Sequence, residues 1–224
     1  MLSFLLSLAF GLGHIDTDNL PVDRVMRVVQ EVKTQLVQEL PQAPSVVIME
    51  RAEPTPLGAI SYLSGRCVIF INPNPQAWAQ WGRFLKSDNQ AQWDQILAAS
   101  AAHEMGHCMR ENREFVAQVQ LQDPQLRGFS GTGLSAARAE VVLKQELFAD
   151  TVALAYANRY LGEQGASVMQ WLIETREKYD QNDPTHATGR WLRTLDLGKL
   201  TGDSTQPLSK AVLQTLKAMP TNQG

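Results

Sequence analysis

Apolar positions recur along this chain with two periods. Val22, Val25, Val29, Val32, Leu36 and Leu40 fall three and four residues apart, which predicts an amphipathic helix over residues 22–40. Pro21 stands near its start, and Pro41 and Pro44 end it. The β-branched run at 45–49 predicts a strand. Two further apolar runs, 57–63 and 66–72, flank Ser64-Gly65 and predict a hairpin, which Pro73 and Pro75 stop. The helical period returns over 91–113. Pro124, Gly128, Gly131 and Gly133 punctuate a loop at 122–133. Ser135 caps a helix reaching about residue 161, and another covers 166–179. A short helical stretch ends near 197, and a last helix spans 208–219. A helix, then a small sheet, then helices is an α+β pattern.

Composition narrows the class. With 44% hydrophobic and 19% charged residues among 224, the chain can bury a real core. No long Gly/Ser/Pro tract divides it, so one domain over 14–224 is expected. The net charge of −3, with no basic run, argues against a nucleic-acid partner. No apolar run reaches ~18 residues, so no transmembrane span is expected, which leaves peripheral membrane contact open. Two cysteines are too few for a disulfide scaffold or a Cys-only zinc knuckle. Residues 1–13 contain the apolar run LSFLLSLAF and read as a signal peptide or as an apolar N-terminal segment. No Lys or Arg precedes the run, yet the pattern favours an exported protein, periplasmic or secreted, over a cytoplasmic one. In an oxidising compartment Cys67 and Cys108 are able to pair, but their spacing does not place them together.

One string is far more specific than the rest. Residues 102–107 read Ala-His-Glu-Met-Gly-His, an H-E-x-x-H motif within an expected helix. His103 and His107, at i and i+4, lie on one face and can reach one metal ion. Glu104 lies beside that face, placed to hold and deprotonate a water at the metal. The chain has only four histidines, so chance is a weak source of this spacing.

A zinc site of this kind takes a third protein ligand. Glu146 and Asp150 are again i and i+4, on a helix rich in Val141, Val142, Leu147, Phe148, Val152 and Leu154. Two acids on so apolar a helix are costly unless paired or metal-bound. Glu146 is the expected third ligand, with Glu140 as second choice. Asp150 is expected to accept from the non-ligating nitrogen of a zinc histidine, His103 first. Gly106 inside the helix costs ~1 kcal/mol relative to Ala; either it lets another backbone come close there, or it is simply tolerated.

The pair His103-Glu104-Met105-Gly106-His107 and Glu146-x-x-Ala149-Asp150 resembles the gluzincin metallopeptidases, which hold zinc with two His and one Glu. It is similar to the group of the CAAX prenyl protease, the bacterial heat-shock membrane protease and their soluble periplasmic relatives. The resemblance implies a zincin-like fold, mainly helical with a small N-terminal sheet beside the metal helix. It implies one Zn2+ per chain and endopeptidase action on a peptide or protein substrate. It also implies that His186, in Pro184-Thr185-His186-Ala187, donates to the oxyanion, with Arg190 or Arg193 beside it. Ala187 stands where the family has Pro. In related peptidases the strand before the metal helix is an edge that takes an extended substrate. From sequence alone, strand 66–72 is first a core strand, and Trp78, Trp81 and Trp93 are first core or partner-surface residues.

Two other readings compete. Peptide deformylase also uses H-E-x-x-H with an upstream Cys ligand, for which Cys67 is available. However, the deformylase-like string at 131–137 follows the metal helix, in the wrong order. The second is a non-catalytic zinc-binding or assembly protein on a metallopeptidase fold. Glu104, needed for catalysis and not for metal binding, argues against it.

Overall fold

The computed structural model describes residues 22–39, 46–61, 66–78, 93–119, 121, 135–179, 183–201 and 206–219. The N-terminal apolar segment with His14, the turn at Ser64-Gly65, Trp81 and the loop at 122–133 lie outside them.

Helix α1 (Val22–Glu39) buries the stripe that its spacing marks: Val25, Val29, Val32 and Leu36 are each at most 2% exposed. Strands β1 (Val46–Glu50), β2 (Leu57–Ser61) and β3 (Cys67–Ile71) form one sheet in the order β1-β3-β2. β2 and β3 make the expected antiparallel hairpin, with Leu57 opposite Ile71, whereas β1 runs parallel to β3. β3 is therefore the central strand and is buried along its whole length. Its Cys67, Ile69 and Ile71 join the main core, while Val68 and Phe70 alternate to the other face.

Helix α2 (Trp93–Cys108) carries the H-E-x-x-H string and is enclosed on most sides. The expected single helix over 91–113 is in fact two. Met109 is extended (φ −74, ψ 143), and α3 (Arg110–Gln118) starts afresh. No proline or glycine stands at the break. The residue before the break, Cys108, is tied to Cys67 of β3 by a disulfide, with Cα atoms 5.6 Å apart. The Asn112 side-chain amide then donates to the Gly106 carbonyl at 3.2 Å, serving an acceptor at the interrupted helix end.

Helix α4 (Ala136–Tyr160) begins at Ser135, whose side chain accepts from the Arg138 N–H as an N-cap. It is buried from Leu147 to Ala157 and packs along α2. Helix α5 (Gly165–Tyr179) covers a second side of α4. The short stretch expected to end near 197 is helical only over α6 (Gly189–Leu192); α7 (Leu197–Thr201) begins where it was expected to end, and α8 (Leu208–Lys217) is the last described helix. Trp78 and Trp93 are core residues, 1% and 4% exposed. The architecture is α+β and mainly helical, with β2 packed against α2. No described helix is long and apolar enough to cross a membrane.

Candidate metal centre

Helices α2 and α4 run against each other so that the stripe Ala99–His103–His107 faces Glu146–Asp150–Ala153. The close approach happens at Gly106, where a Cβ would lie 2.7 Å from the Ala149 Cα. Gly106 thus has the role its position in the helix suggests: it lets a second backbone come up under the two histidines.

His103 Nε2 and His107 Nε2 lie 3.1 Å apart. Glu146 closes the triangle, with Oε2 3.4 Å from His103 Nε2 and Oε1 3.3 Å from His107 Nε2. A metal with tetrahedral bonds of about 2.0–2.1 Å separates its ligand atoms by roughly 3.3 Å. Two imidazoles and a carboxylate are also a zinc donor set. With one donor atom taken from each side chain, the three lie within 4.8 Å of one another, close enough to share one ion, and the donor set fits zinc. Among the described residues this is the group of three His, Cys, Asp or Glu side chains able to hold one.

The surroundings orient these donors. Asp150 is 0% exposed. Its Oδ1 lies 2.7 Å from His103 Nδ1, which leaves Nε2 directed at the triangle. The same oxygen accepts from Arg176 Nη2 at 2.7 Å, and Oδ2 accepts from the Thr188 hydroxyl. Arg176 Nη2 also comes within 3.5 Å of Glu146 Oε2. Burial alone would lower the His103 pKa, but Asp150 and Glu146 outweigh it and push it up to about 10. Burial would likewise raise Glu146, but His107 and His103 hold it well below the usual carboxylate range. Asp150 is held down against burial by Arg176 first and His103 second. The centre is thus built to keep positive charge between two carboxylates.

A cleft of about 630 Å³ opens on the triangle. Glu104, His186 and Arg176 line it, with Leu57, Gly58 and Ala59 of β2 along one side. The Asn72 N–H donates to the Pro56 carbonyl at 2.8 Å, so that pair is a hydrogen-bonded one. By alternation Gly58 and Ile60 also turn their backbone groups to β3, and Leu57 and Ala59 turn theirs outward. The strand along the cleft is thus β2, while 66–72 is central, in keeping with its core-strand reading.

His186 faces the centre, with Nε2 3.7 Å from Glu146 Oε1. Its Nδ1 lies 2.7 Å from Asp183 Oδ2, and Asp183 Oδ1 accepts from the Thr185 N–H and hydroxyl. Arg190 and Arg193 are not brought in: neither is among the described residues lining the cleft. Arg193 instead forms a two-pronged pair with Glu177 on the surface, at 2.5 and 2.6 Å, and Arg190 stacks over Trp191. Arg193 directly follows α6, whose Gly189 lies so close to α5 that a Cβ there would be 2.6 Å from the Glu177 backbone N. Glu140 pairs with Lys144 at 2.8 Å and stays outside the triangle. Cys67 is engaged with Cys108, which removes it as a ligand and with it the deformylase arrangement.

Sequence reasoning missed Arg176, Thr188 and Asp183. One signal pointed to the first: two acids on a buried helix face require a cation. No family model matches the chain, and no curated protein or solved structure matches it.

Proposed function

We propose that this chain is a zinc-dependent endopeptidase of the gluzincin type, binding one Zn2+ per chain through His103, His107 and Glu146. The observation that carries this reading is the convergence of those three side chains, one donor atom from each within 4.8 Å of the others, beside Glu104, in an open cleft. A bound zinc ion would supply Lewis-acid polarisation of the scissile carbonyl and acidify water. Glu104 is the general base: it takes a proton from the attacking water and delivers it to the leaving amine. His186 is aimed to donate from Nε2 to the developing oxyanion, and Asp183 orients its ring through Nδ1. Asp150 holds His103 in the tautomer that turns Nε2 to the site. The outward backbone groups of Leu57 and Ala59 suit an extended peptide added as a further strand. In this reading α2, α4 and the sheet form a zincin-like unit. The Cys67–Cys108 disulfide agrees with an exported, periplasmic or secreted protein.

The test is metal analysis of the full purified chain together with cleavage of an unfolded protein, before and after chelation and zinc return. One zinc per chain and chelator-sensitive, zinc-restored cleavage are expected. Zinc without turnover under every condition tried would favour the non-catalytic binding protein, and no zinc at all would remove the reading.

A further inference from the structure

The three donors and Asp150 create a problem that they do not solve among themselves. Glu146 and Asp150 project from one face of α4 into a site where their side chains are 11% and 0% exposed. His103 is held between them, Nε2 toward one carboxylate and Nδ1 toward the other. Two buried acids one turn apart repel, and the repulsion is little screened where water is excluded. The imidazole between them carries at most one positive charge, and none once its Nε2 binds a metal.

Arg176 stands at that point. It comes from α5, a helix that contributes none of the metal donors, and its side chain is 13% exposed. Its Nη2 lies 2.7 Å from Asp150 Oδ1 and 3.5 Å from Glu146 Oε2, so one guanidinium nitrogen spans both acids. It shares Asp150 Oδ1 with His103 Nδ1, and Thr188 takes the other oxygen. Asp150 thus has donors from α2, from α5 and from the segment before α6. Among the described residues lining the cleft, Arg176 is also the one cation, the histidines aside.

We infer that Arg176 is a positioning residue for the metal: it fixes Asp150 against His103 and offsets the repulsion between Asp150 and Glu146, so that the donor triangle stands ready formed. This inference rests on the zinc reading of the same triangle. It acts through Asp150, without Arg176 touching metal or substrate. A salt bridge that merely tied α5 to α4 would contribute to folding and leave metal affinity alone.

The experiment measures zinc affinity by competition with a chromophoric chelator, and unfolding in excess chelator, on the full chain. The variants are R176Q, R176K, D150N and R176Q/D150N. R176Q is expected to lose ~10–100-fold in zinc affinity, the range typical for groups that orient a ligand, and R176K to recover part of the loss. In the D150N background R176Q is expected to cost little more, below ~2-fold, since its route to the metal is already cut. Affinity of R176Q within ~2-fold of wild type overturns the proposal, as does an undiminished loss in the D150N background. If R176Q does not fold, R176K carries the test, and no loss of affinity in R176K overturns it. Wild-type protein that binds no zinc removes the zinc reading and this inference together. Wild-type protein that binds zinc while R176Q binds it equally well removes the inference alone.

Discussion

The Ala149 Cα lies 2.7 Å from the point that a Cβ on residue 106 would occupy, so Gly106 and Ala149 set the distance between the two helices that carry the donors. Gly106→Ala gains ~1 kcal/mol of helix propensity. It also forces backbone against side chain in a packed core, which costs ~1–3 kcal/mol and pushes His103 and His107 away from Glu146. The expected net result is a lower Tm and weaker zinc binding, read by thermal unfolding and chelator competition. A Tm at or above wild type with unchanged affinity would show that the contact is not limiting.

Glu104 lines the cleft and stands outside the donor triangle. Glu104→Gln is therefore expected to keep zinc and to lose at least ~10²-fold in peptide hydrolysis. Glu146→Ala is expected to lose metal and activity together. Metal content and turnover measured on the same preparations separate the two, and full zinc in Glu146→Ala would move the third ligand elsewhere.

His186 lies beyond hydrogen-bond range of Glu146, at 3.7 Å, on a turn braced by Asp183. Its loss should be felt in the transition state. His186→Ala is expected to lower kcat by ~10²–10³ with KM and zinc content little changed. Loss of zinc would make it a ligand, and wild-type kcat would make it an ordinary turn residue.

The disulfide joins the central strand to the residue directly after His107, across a separation of 41 residues. Replacing Cys67 and Cys108 with Ser is expected to cost up to about 4 kcal/mol by the chain-entropy account. It should also free the end of α2 that carries His107, so zinc affinity should fall in the same variant. Denaturant unfolding and chelator competition measure the two effects, and stability equal to wild type would discount the bond as a clamp.

Tyr156 donates to Gln35 Oε1 at 2.6 Å and so links α4 to α1. Burial, with Glu31 nearby, pushes its hydroxyl from about 10 up to about 12. Between those values the unfolded chain loses this proton first. The contribution is thus complete below about pH 10 and is lost as pH rises toward 12. Tyr156→Phe should lack that alkaline part of the decline, while costing ~1 kcal/mol near neutrality for the lost hydrogen bond. Unfolding curves of the two proteins at several alkaline pH values supply the check, and parallel declines would reject the assignment.

What lay open in the chain was whatever depends on short separations. The stripe from Val25 to Leu36, the hairpin of β2 and β3, the Ser135 cap and the i, i+4 pairs all follow from the pitch of a helix or the alternation of a strand. His103 with His107, and Glu146 with Asp150, could be proposed because each pair lies one turn apart on a helix, and Glu104 because it sits beside the first pair within the H-E-x-x-H string. Gly106 could be marked because it is costly where it stands. Long-range geometry decided the rest. The break at Met109 directly follows a cysteine bonded to a strand 41 residues earlier, and no local residue announces it. Arg176 reaches Asp150 across 26 residues, and Thr188 across 38, through the packing of α5 and the chain before α6 on α4. Arg190 and Arg193 looked suitable by order along the chain, but order does not specify direction. Gly189 packs α6 closely on Glu177, and Arg193 pairs with Glu177 at the surface, whereas Arg176 lines the cleft at the candidate site.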